Sequence, residues 1–142
     1  MPKKKLTIAK LKKKLQVHFN KYIRLRDCLA HSGNLYEGIC ISCDALLPFE
    51  KLQAGHFIPS TYLAVRFDED NVHAQCVGCN MYKSGNLIEY RPRLIDKITQ
   101  EKVDDIEFKR HDNVKFTRQD YEDLIELYKF KIKELQDGKT NF

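Results

Sequence analysis

Two Cys-x-x-Cys pairs constrain this chain more than any other feature of its sequence. Cys40 and Cys43 form the first pair, and Cys76 and Cys79 form the second. A tight turn can bring both thiolates of such a pair within about 2.3 Å of one zinc ion, and two pairs complete a tetrahedral site. The fifth cysteine, Cys28, is left over, which favours metal binding over a disulfide framework. The sequence therefore predicts a structural zinc site.

Length and composition predict one domain, covering residues 1–142, whose stability depends on that zinc. A chain of 142 residues builds a modest core, and its 32% charged residues are not a signature of disorder. A structural zinc contributes about 10–16 kcal/mol at neutral pH, comparable to the net stability of a domain. The chain has neither a secretory signal nor an apolar run long enough to cross a membrane. We therefore expect a soluble intracellular protein.

Positive charge is concentrated at the beginning of the chain. The formal net charge is +5, yet residues 1–26 contain lysines and arginines without any acidic residue, and the remainder is net acidic. A basic arm on a mildly acidic body is typical of proteins that bind nucleic acid. The alternative is a solvated helix face that follows a lysine-rich start. The candidates for contacts with DNA phosphates are Lys12, Lys13, Lys14, Arg66, Lys83 and Arg91.

Hydrophobic periodicity predicts helices near both ends of the chain. Thr7 can cap a helix whose apolar residues recur at spacings of three and four: Ile8, Leu11, Leu15, Phe19 and Tyr22. The alternating pattern of residues 23–28 predicts that this helix then gives way to extended chain. Thr117 and Asp120 resemble a capping box. They precede a second apolar stripe, predicted to face the core or a dimer partner: Tyr121, Leu124, Ile125, Tyr128, Ile132 and Leu135.

The middle of the chain predicts short strands and short helices. Residues 46–52 and 53–58 have the pattern of two short strands, or of a strand and its loop, and residues 72–76 can form a hairpin strand that delivers the second cysteine pair. A short helix is expected at residues 80–83. Pro92 is expected near the start of the next helix, where its missing N–H costs little. The fold class predicted from these elements is α+β.

His56, Asn71 and Asn80 resemble, in type and spacing, the motif of the HNH endonucleases. These enzymes are a branch of the ββα-metal (His-Me finger) nucleases, in which a hairpin and one helix hold a histidine and a magnesium ion against the scissile phosphate. The resemblance implies that His56 is the general base, that Asn71 fastens the hairpin loop and that Asn80 binds magnesium. An imidazole pKa near 6.5 suits a base at neutral pH.

One position departs from the HNH pattern. Many HNH enzymes carry Asp or His immediately before the base as a second metal ligand, and this chain has Gly55. Magnesium usually keeps several waters and takes one or two protein ligands besides the substrate phosphate, so Asn80 alone could hold it. His73, Asp68 and Asp70 are alternative second ligands, among which the sequence does not choose.

Longer segments resemble the phage NinG family, also called Rap recombination nucleases. The segments are YIRLRD (22–27), CISC (40–43), AGHF (54–57), RFDEDNVHAQC (66–76), CNMYKSGN (79–86) and YRPRLIDKI (90–98). The Gly-His pair fits that family. The resemblance implies a phage or prophage enzyme in the cytoplasm of a bacterial host. That enzyme would be a magnesium-dependent DNA endonuclease, with manganese able to substitute, which cleaves Holliday junctions and D-loops during recombination.

The resulting expectation is an α+β protein with a small zinc-stabilised ββα-metal (HNH-like) core. That core occupies residues 35–86, between a basic N-terminal arm and helix (1–27) and a helical C-terminal extension (87–142). Its partners would be branched or double-stranded DNA and a second copy of the chain, because resolving a junction needs two nicks. Two rivals remain: a non-catalytic zinc-stabilised DNA-binding accessory protein, and a scaffold for other phage proteins. Neither explains the spacing of the His-Asn-Asn motif.

Overall fold

The computed structural model describes residues 5–138, an α+β arrangement of five α-helices and four short strands. Part of the basic arm, Lys3 and Lys4, lies outside these residues. The helices are α1 (Ile8–Ser32), α2 (Leu63–Arg66), α3 (Leu87–Ile98), α4 (Gln100–Lys109) and α5 (Arg118–Gln136). The strands are β1 (Glu37–Ile39), β2 (Leu46–Pro48), β3 (Leu52–His56) and β4 (Val72–Cys76). No helix within residues 5–138 is long and apolar enough to cross a membrane.

Helix α1 is longer than the sequence predicted. Thr7 caps it by accepting the N–H of Lys10 at 3.2 Å, and it ends only at Ser32, where Gly33 caps it with a φ of 76° that suits glycine. The prediction of extended chain at residues 23–28 is wrong. The helix packs against α5 and also against β1, β3 and β4, so residues on more than one of its faces are buried and its apolar residues no longer follow a single stripe.

Helices α1 and α5 form the main apolar layer. The stripe of α5 faces α1 and completes the core there, and its capping box between Thr117 and Asp120 is present. Phe19 of α1 meets Tyr128 of α5 edge to face, with ring centroids 5.0 Å apart. Burying one such large apolar side chain contributes about 1.5–3 kcal/mol, so this contact anchors the first helix firmly to the last.

The strands form two antiparallel hairpins. Strand β1 pairs with β2, and β3 pairs with β4 in a register that places Leu52 opposite Cys76 and His56 opposite Val72. The predicted strand at residues 72–76 is confirmed, while the predicted first strand shortens to β2 and continues into a 3₁₀ turn, Phe49–Lys51. The β3–β4 hairpin lies against α1.

A π-helical turn, Gly78–Tyr82, follows β4 in place of the short α-helix expected at residues 80–83. Helix α3 then starts at Leu87, so Pro92 lies inside the helix and the prediction that it would lie near the start is wrong. Pro92 is exposed, so water can reach the backbone carbonyl that its missing N–H leaves unbonded. Helices α3 and α4 pack together beside the end of β3 in a second apolar cluster, which includes Phe57 and Tyr90.

Candidate metal centre and active site

The four cysteines of the two pairs converge at one point. Cys40 follows β1, Cys76 ends β4 and Cys79 lies in the π-helical turn. All four sulfur atoms lie within 4.8 Å of one another, and the sulfurs of Cys43 and Cys76 are 3.7 Å apart. A tetrahedron with Zn–S bonds of about 2.3 Å has edges of about 3.8 Å. This group can therefore hold a zinc ion as the sequence predicted.

Cys28 takes no part in that group. It is buried behind the β1–β2 hairpin, and burial raises the pKa of its thiol to about 11. Any side chain at Gly38 would press on it, because a Cβ there would lie 3.2 Å from the Cys28 sulfur. Such a thiol stays protonated at neutral pH and serves as a small apolar side chain.

Asn71 closes the long loop between β3 and β4. Its side chain is fully buried, and its Oδ1 accepts the N–H of Ile58 at 2.7 Å. Its Nδ2 donates to the carbonyls of Ile58 and Val65, both at 3.0 Å. These three bonds join the segment that leaves His56 to helix α2, so the start and the end of the loop are held together.

His56 is the last residue of β3, and one contact fixes its ring. Its Nε2 lies 2.9 Å from the carbonyl oxygen of Arg66, the last residue of α2. A carbonyl only accepts, so Nε2 carries the hydrogen of the neutral ring and Nδ1 keeps a free lone pair. Burial lowers the pKa of His56 below 6.5, although its hydrogen bond to the Arg66 carbonyl opposes this. The ring is therefore neutral at physiological pH and can accept a proton.

The structure does not bring Asn80 into contact with His56. The Nδ2 of Asn80 donates to Oε1 of Gln53 at 2.8 Å, and Gln53 precedes His56 by three residues in β3. At about 3.3 Å per residue, the two positions are about 10 Å apart along the strand, and the alternation of a strand directs their side chains to opposite faces. This bond leaves the amide oxygen of Asn80 available, and oxygen is the ligand that magnesium prefers.

Gly55 is required by its neighbour Gln75. A Cβ on Gly55 would lie 1.8 Å from Oε1 of Gln75. The Gln75 amide is fully buried, and its Nε2 donates to Ser42 Oγ and to the Gly85 carbonyl, both at 2.8 Å. Within residues 5–138, its Oε1 is the one buried side-chain polar atom without a hydrogen-bond partner. The space that a second metal ligand at position 55 would use is thus filled by Gln75.

His73 lies inside the protein with both ring nitrogens engaged. Its Nε2 is 2.9 Å from the Asp70 carbonyl, and its Nδ1 is 2.9 Å from Lys97 Nζ and 3.2 Å from Arg26 Nη2. Burial and the charge of Lys97 lower the pKa of His73 to about 3. No lone pair of this ring is left for magnesium. The carboxylate of Asp68, another alternative ligand, pairs with a lysine of α4 at 2.9 Å.

Family comparison agrees with the segments identified in the sequence. The model of the family described as "Bacteriophage Lambda NinG protein" matches residues 2–138. The chain belongs to the NinG family. Among similar proteins, the NinG proteins of Escherichia phage 933W and Escherichia phage lambda are 37% and 36% identical over 129 residues, and that of Salmonella phage P22 is 37% identical over 131.

Each of these three alignments covers 90% of this chain but only 58–59% of the phage protein. The chain thus spans a little over half the length of the curated NinG proteins that it matches. No solved structure matches it. The resemblance to the NinG family is confirmed. The resemblance to the HNH endonucleases stays a prediction from the sequence motif.

An ionic cluster around the buried Asp27, which the sequence did not reveal, ties this NinG chain together beside the hairpin. The carboxylate of Asp27 in α1 accepts from Arg26 Nε at 2.9 Å, Lys97 Nζ at 3.0 Å and the Ala74 N–H at 2.7 Å. Burial alone would raise the pKa of Asp27, but the charges of Arg26 and Lys97 lower it far below its usual range. Arg26 also donates to the Val72 carbonyl at 2.8 Å. Helices α1 and α3 are thereby joined to β4.

The basic residues singled out from the sequence fall into two groups. Lys13 and Lys14 are exposed on α1, Lys12 is partly exposed there, and Lys83 is exposed just after the π-helical turn. The two arginines are engaged with protein groups. Arg66 Nε donates to the Gln16 side chain at 2.8 Å, and Arg91 forms two hydrogen bonds with Glu107 at 2.8 and 3.2 Å. The lysines are therefore the freer candidates for contacts with phosphates.

Proposed function

We propose that this protein is a magnesium-dependent endonuclease of the HNH type that hydrolyses phosphodiester bonds in branched DNA. Its substrates would be Holliday junctions and D-loops formed during phage recombination. The observation that carries the proposal is the state of His56: a neutral ring, oriented through Nε2 by the Arg66 carbonyl, with a lone pair on Nδ1. It stands at the end of a hairpin whose loop is closed by Asn71.

In this mechanism His56 acts as the general base. Its Nδ1 takes a proton from a water molecule, which attacks the phosphorus in line and displaces the 3′ oxygen. That oxygen takes a proton from solvent to become a 3′ hydroxyl, and the other product carries a 5′-phosphate. As the ring gains charge, the Arg66 carbonyl stabilises the imidazolium through the Nε2–H, which offsets part of the cost of burying it. Asn71 keeps the base in place by holding the loop that supplies this carbonyl.

Asn80 would bind the magnesium ion, and its hydrogen bond to Gln53 would orient its side chain. When bound, magnesium would polarise the phosphate and stabilise the leaving oxygen. The amide oxygen of Asn80 fits this ion, and manganese would substitute for it. Since Gln75 fills the space beside Gly55, position 55 adds no second ligand to Asn80, and the DNA phosphate and waters would complete the site.

DNA would be recognised through its phosphates and its branched shape. Lys12, Lys13 and Lys14 on α1 and Lys83 beside the π-helical turn supply positive charge without presenting a helix to base edges. Resolving a four-way junction requires two nicks related by symmetry, so the proposed active form is a homodimer.

A non-catalytic DNA-binding role is the second candidate. The specific observation in its favour is that the Asn80 amide bonds to Gln53, about 10 Å along β3 from His56. A zinc-stabilised accessory protein needs the four cysteines and the lysines but no general base. It leaves unexplained why His56 is held in a single orientation with one nitrogen unused.

Two alanine variants separate these candidates. His56→Ala should retain zinc and bind a four-way junction normally, yet lose about 10²–10⁴-fold in cleavage rate, the usual contribution of a positioned base. Asn80→Ala should also lose cleavage but regain part of it with manganese or high magnesium, whereas His56→Ala should not. His111→Ala, which removes an exposed loop histidine, is the matched control and should cut normally. Normal cleavage by His56→Ala would favour the accessory role.

A further inference from the structure

The π-helical turn presents two large apolar side chains to solvent. Met81 is 63% exposed and Tyr82 is 84% exposed, although both follow directly after Asn80. Side chains of this size normally contribute to stability by being buried, and neither belongs to an apolar cluster of the described core. Other apolar side chains such as Phe108 are equally exposed, so it is the position of these two, directly after the proposed metal ligand, that makes them candidates for a contact with the substrate.

The support under these two side chains is rigid. The N–H of Lys83 bonds to the Gly78 carbonyl at 2.9 Å, and the N–H of Gly85 bonds to the carbonyls of Cys79 at 2.8 Å and Asn80 at 3.1 Å. Cys79 is also one of the four converging cysteines, so a zinc ion would clamp the same turn. The turn thus holds the backbone of Met81 and Tyr82 in place before a ligand binds, which lowers the entropy lost on binding.

The chemistry of Met81, Tyr82 and Lys83 fits a nucleobase and its phosphate better than a protein surface. Lys83, exposed next to Tyr82, can meet a phosphate, while Tyr82 offers an aromatic face and Met81 a flexible apolar one. Aromatic side chains stack on bases of any sequence, and apolar side chains can wedge between base steps that are already weakened. A stable protein interface buries about 800 Å² on each partner, and the positive charge of Lys83 next to these two side chains favours DNA over such an interface.

We propose that Met81 and Tyr82 form a wedge that stacks on an unpaired base at the branch point of DNA. This inference rests on the proposed function and adds the residues that would distinguish a branch from a continuous duplex. In a continuous duplex every base is stacked, so opening a step costs free energy. A base that is already unpaired at a branch point offers the wedge a partner at a lower cost.

The test is equilibrium binding with calcium in place of magnesium, which measures affinity apart from cleavage. The probes are a four-way junction that carries one unpaired 2-aminopurine at the branch point and a linear duplex of the same length. Tyr82→Ala should weaken junction binding by about 5- to 100-fold, the range that removal of one base stack gives. It should change duplex binding by less than about twofold and abolish the 2-aminopurine fluorescence change that stacking produces. Tyr82→Phe should retain all three properties.

Phe108→Ala is the matched control, because Phe108 on α4 is also 84% exposed and belongs to no part of the proposed site. It should bind both DNAs like the unchanged protein. If Tyr82→Ala binds the junction normally, the proposal of a wedge is wrong. It is also wrong if the affinity of this variant falls equally for junction and duplex. If that variant still cleaves junctions with magnesium, the proposed function stands. An unchanged protein that neither binds nor cuts branched DNA overturns both.

Discussion

His73 makes the stability of the protein depend on pH. The ring is 1% exposed and contacts Lys97 and Arg26, and burial with these charges lowers its pKa to about 3. In the unfolded chain the pKa of a histidine is about 6.5. Between pH 6.5 and pH 3 the unfolded chain therefore binds a proton that the folded protein does not. The contribution of His73 to the free energy of unfolding is complete above pH 6.5 and falls as the pH decreases through this window.

The size of the effect follows from the two pKa values. Once the unfolded histidine is protonated, each pH unit removes about 1.4 kcal/mol of stability. From pH 7 to pH 5, His73 alone should lower the free energy of unfolding by about 2 kcal/mol, which corresponds to a fall in Tm of about 6 °C for a chain of this size.

The assay is urea denaturation at pH 7, 6 and 5. His73→Gln should start less stable at pH 7, because it disturbs the contacts with Lys97 and Arg26, yet lose about 2 kcal/mol less than the unchanged protein on going to pH 5. His111→Gln, in an exposed loop, should lose as much as the unchanged protein. Zinc release and the lowered pKa of His56 affect all three proteins alike, so the comparison isolates one ring. An equal loss in His73→Gln would refute this reasoning.

Three further predictions address zinc, the loop and DNA. Cys43→Ser should lose zinc and largely unfold; folded protein that elemental analysis finds without zinc would contradict a structural metal. Asn71→Ala leaves the N–H and the carbonyl of buried Ile58 without their partner, while the Val65 carbonyl keeps the N–H of Asp68, and should cost about 2–4 kcal/mol in thermal denaturation, so a cost under about 1 kcal/mol would count against it. Replacing Lys12, Lys13 and Lys14 by alanine should reduce the slope of log K against log salt by about 0.9 for each DNA phosphate that the variant no longer neutralises, and an unchanged slope would mean that these lysines are only solvated.

The features that the sequence predicted well depend on neighbours in the chain. The spacing within each cysteine pair, the capping box at Thr117 and Asp120 and the strand from Val72 to Cys76 are local patterns, and the structure has all three. The start of α1 is also predicted by a local pattern, the capping residue Thr7 before the first apolar residue. Local rules work here because the sequence signal of each feature lies within a few residues, although the strand itself pairs with the distant β3.

The features that the sequence missed depend on tertiary contacts. Alternation at residues 23–28 predicts extended chain, whereas α1 continues there because it is buried on more than one face. Asp27, His73 and Lys97 come from three distant elements, and no spacing rule joins them. From the sequence, Gly55 shows only that the second metal ligand of many HNH enzymes is absent. The structure adds the reason, because the side chain of Gln75 from the paired strand occupies the space beside Gly55.

The most direct measurement of the central claim is a cleavage time course on a four-way junction and on a linear duplex of equal length, with zinc-loaded protein and magnesium. We expect nicks near the branch point that carry 5′-phosphate ends, slow or absent cutting of the linear duplex, and no cutting when magnesium is omitted. His56→Ala in the same assay should bind the junction and leave it intact. Junctions left whole by the unchanged protein with magnesium or manganese, despite tight binding, would contradict the account.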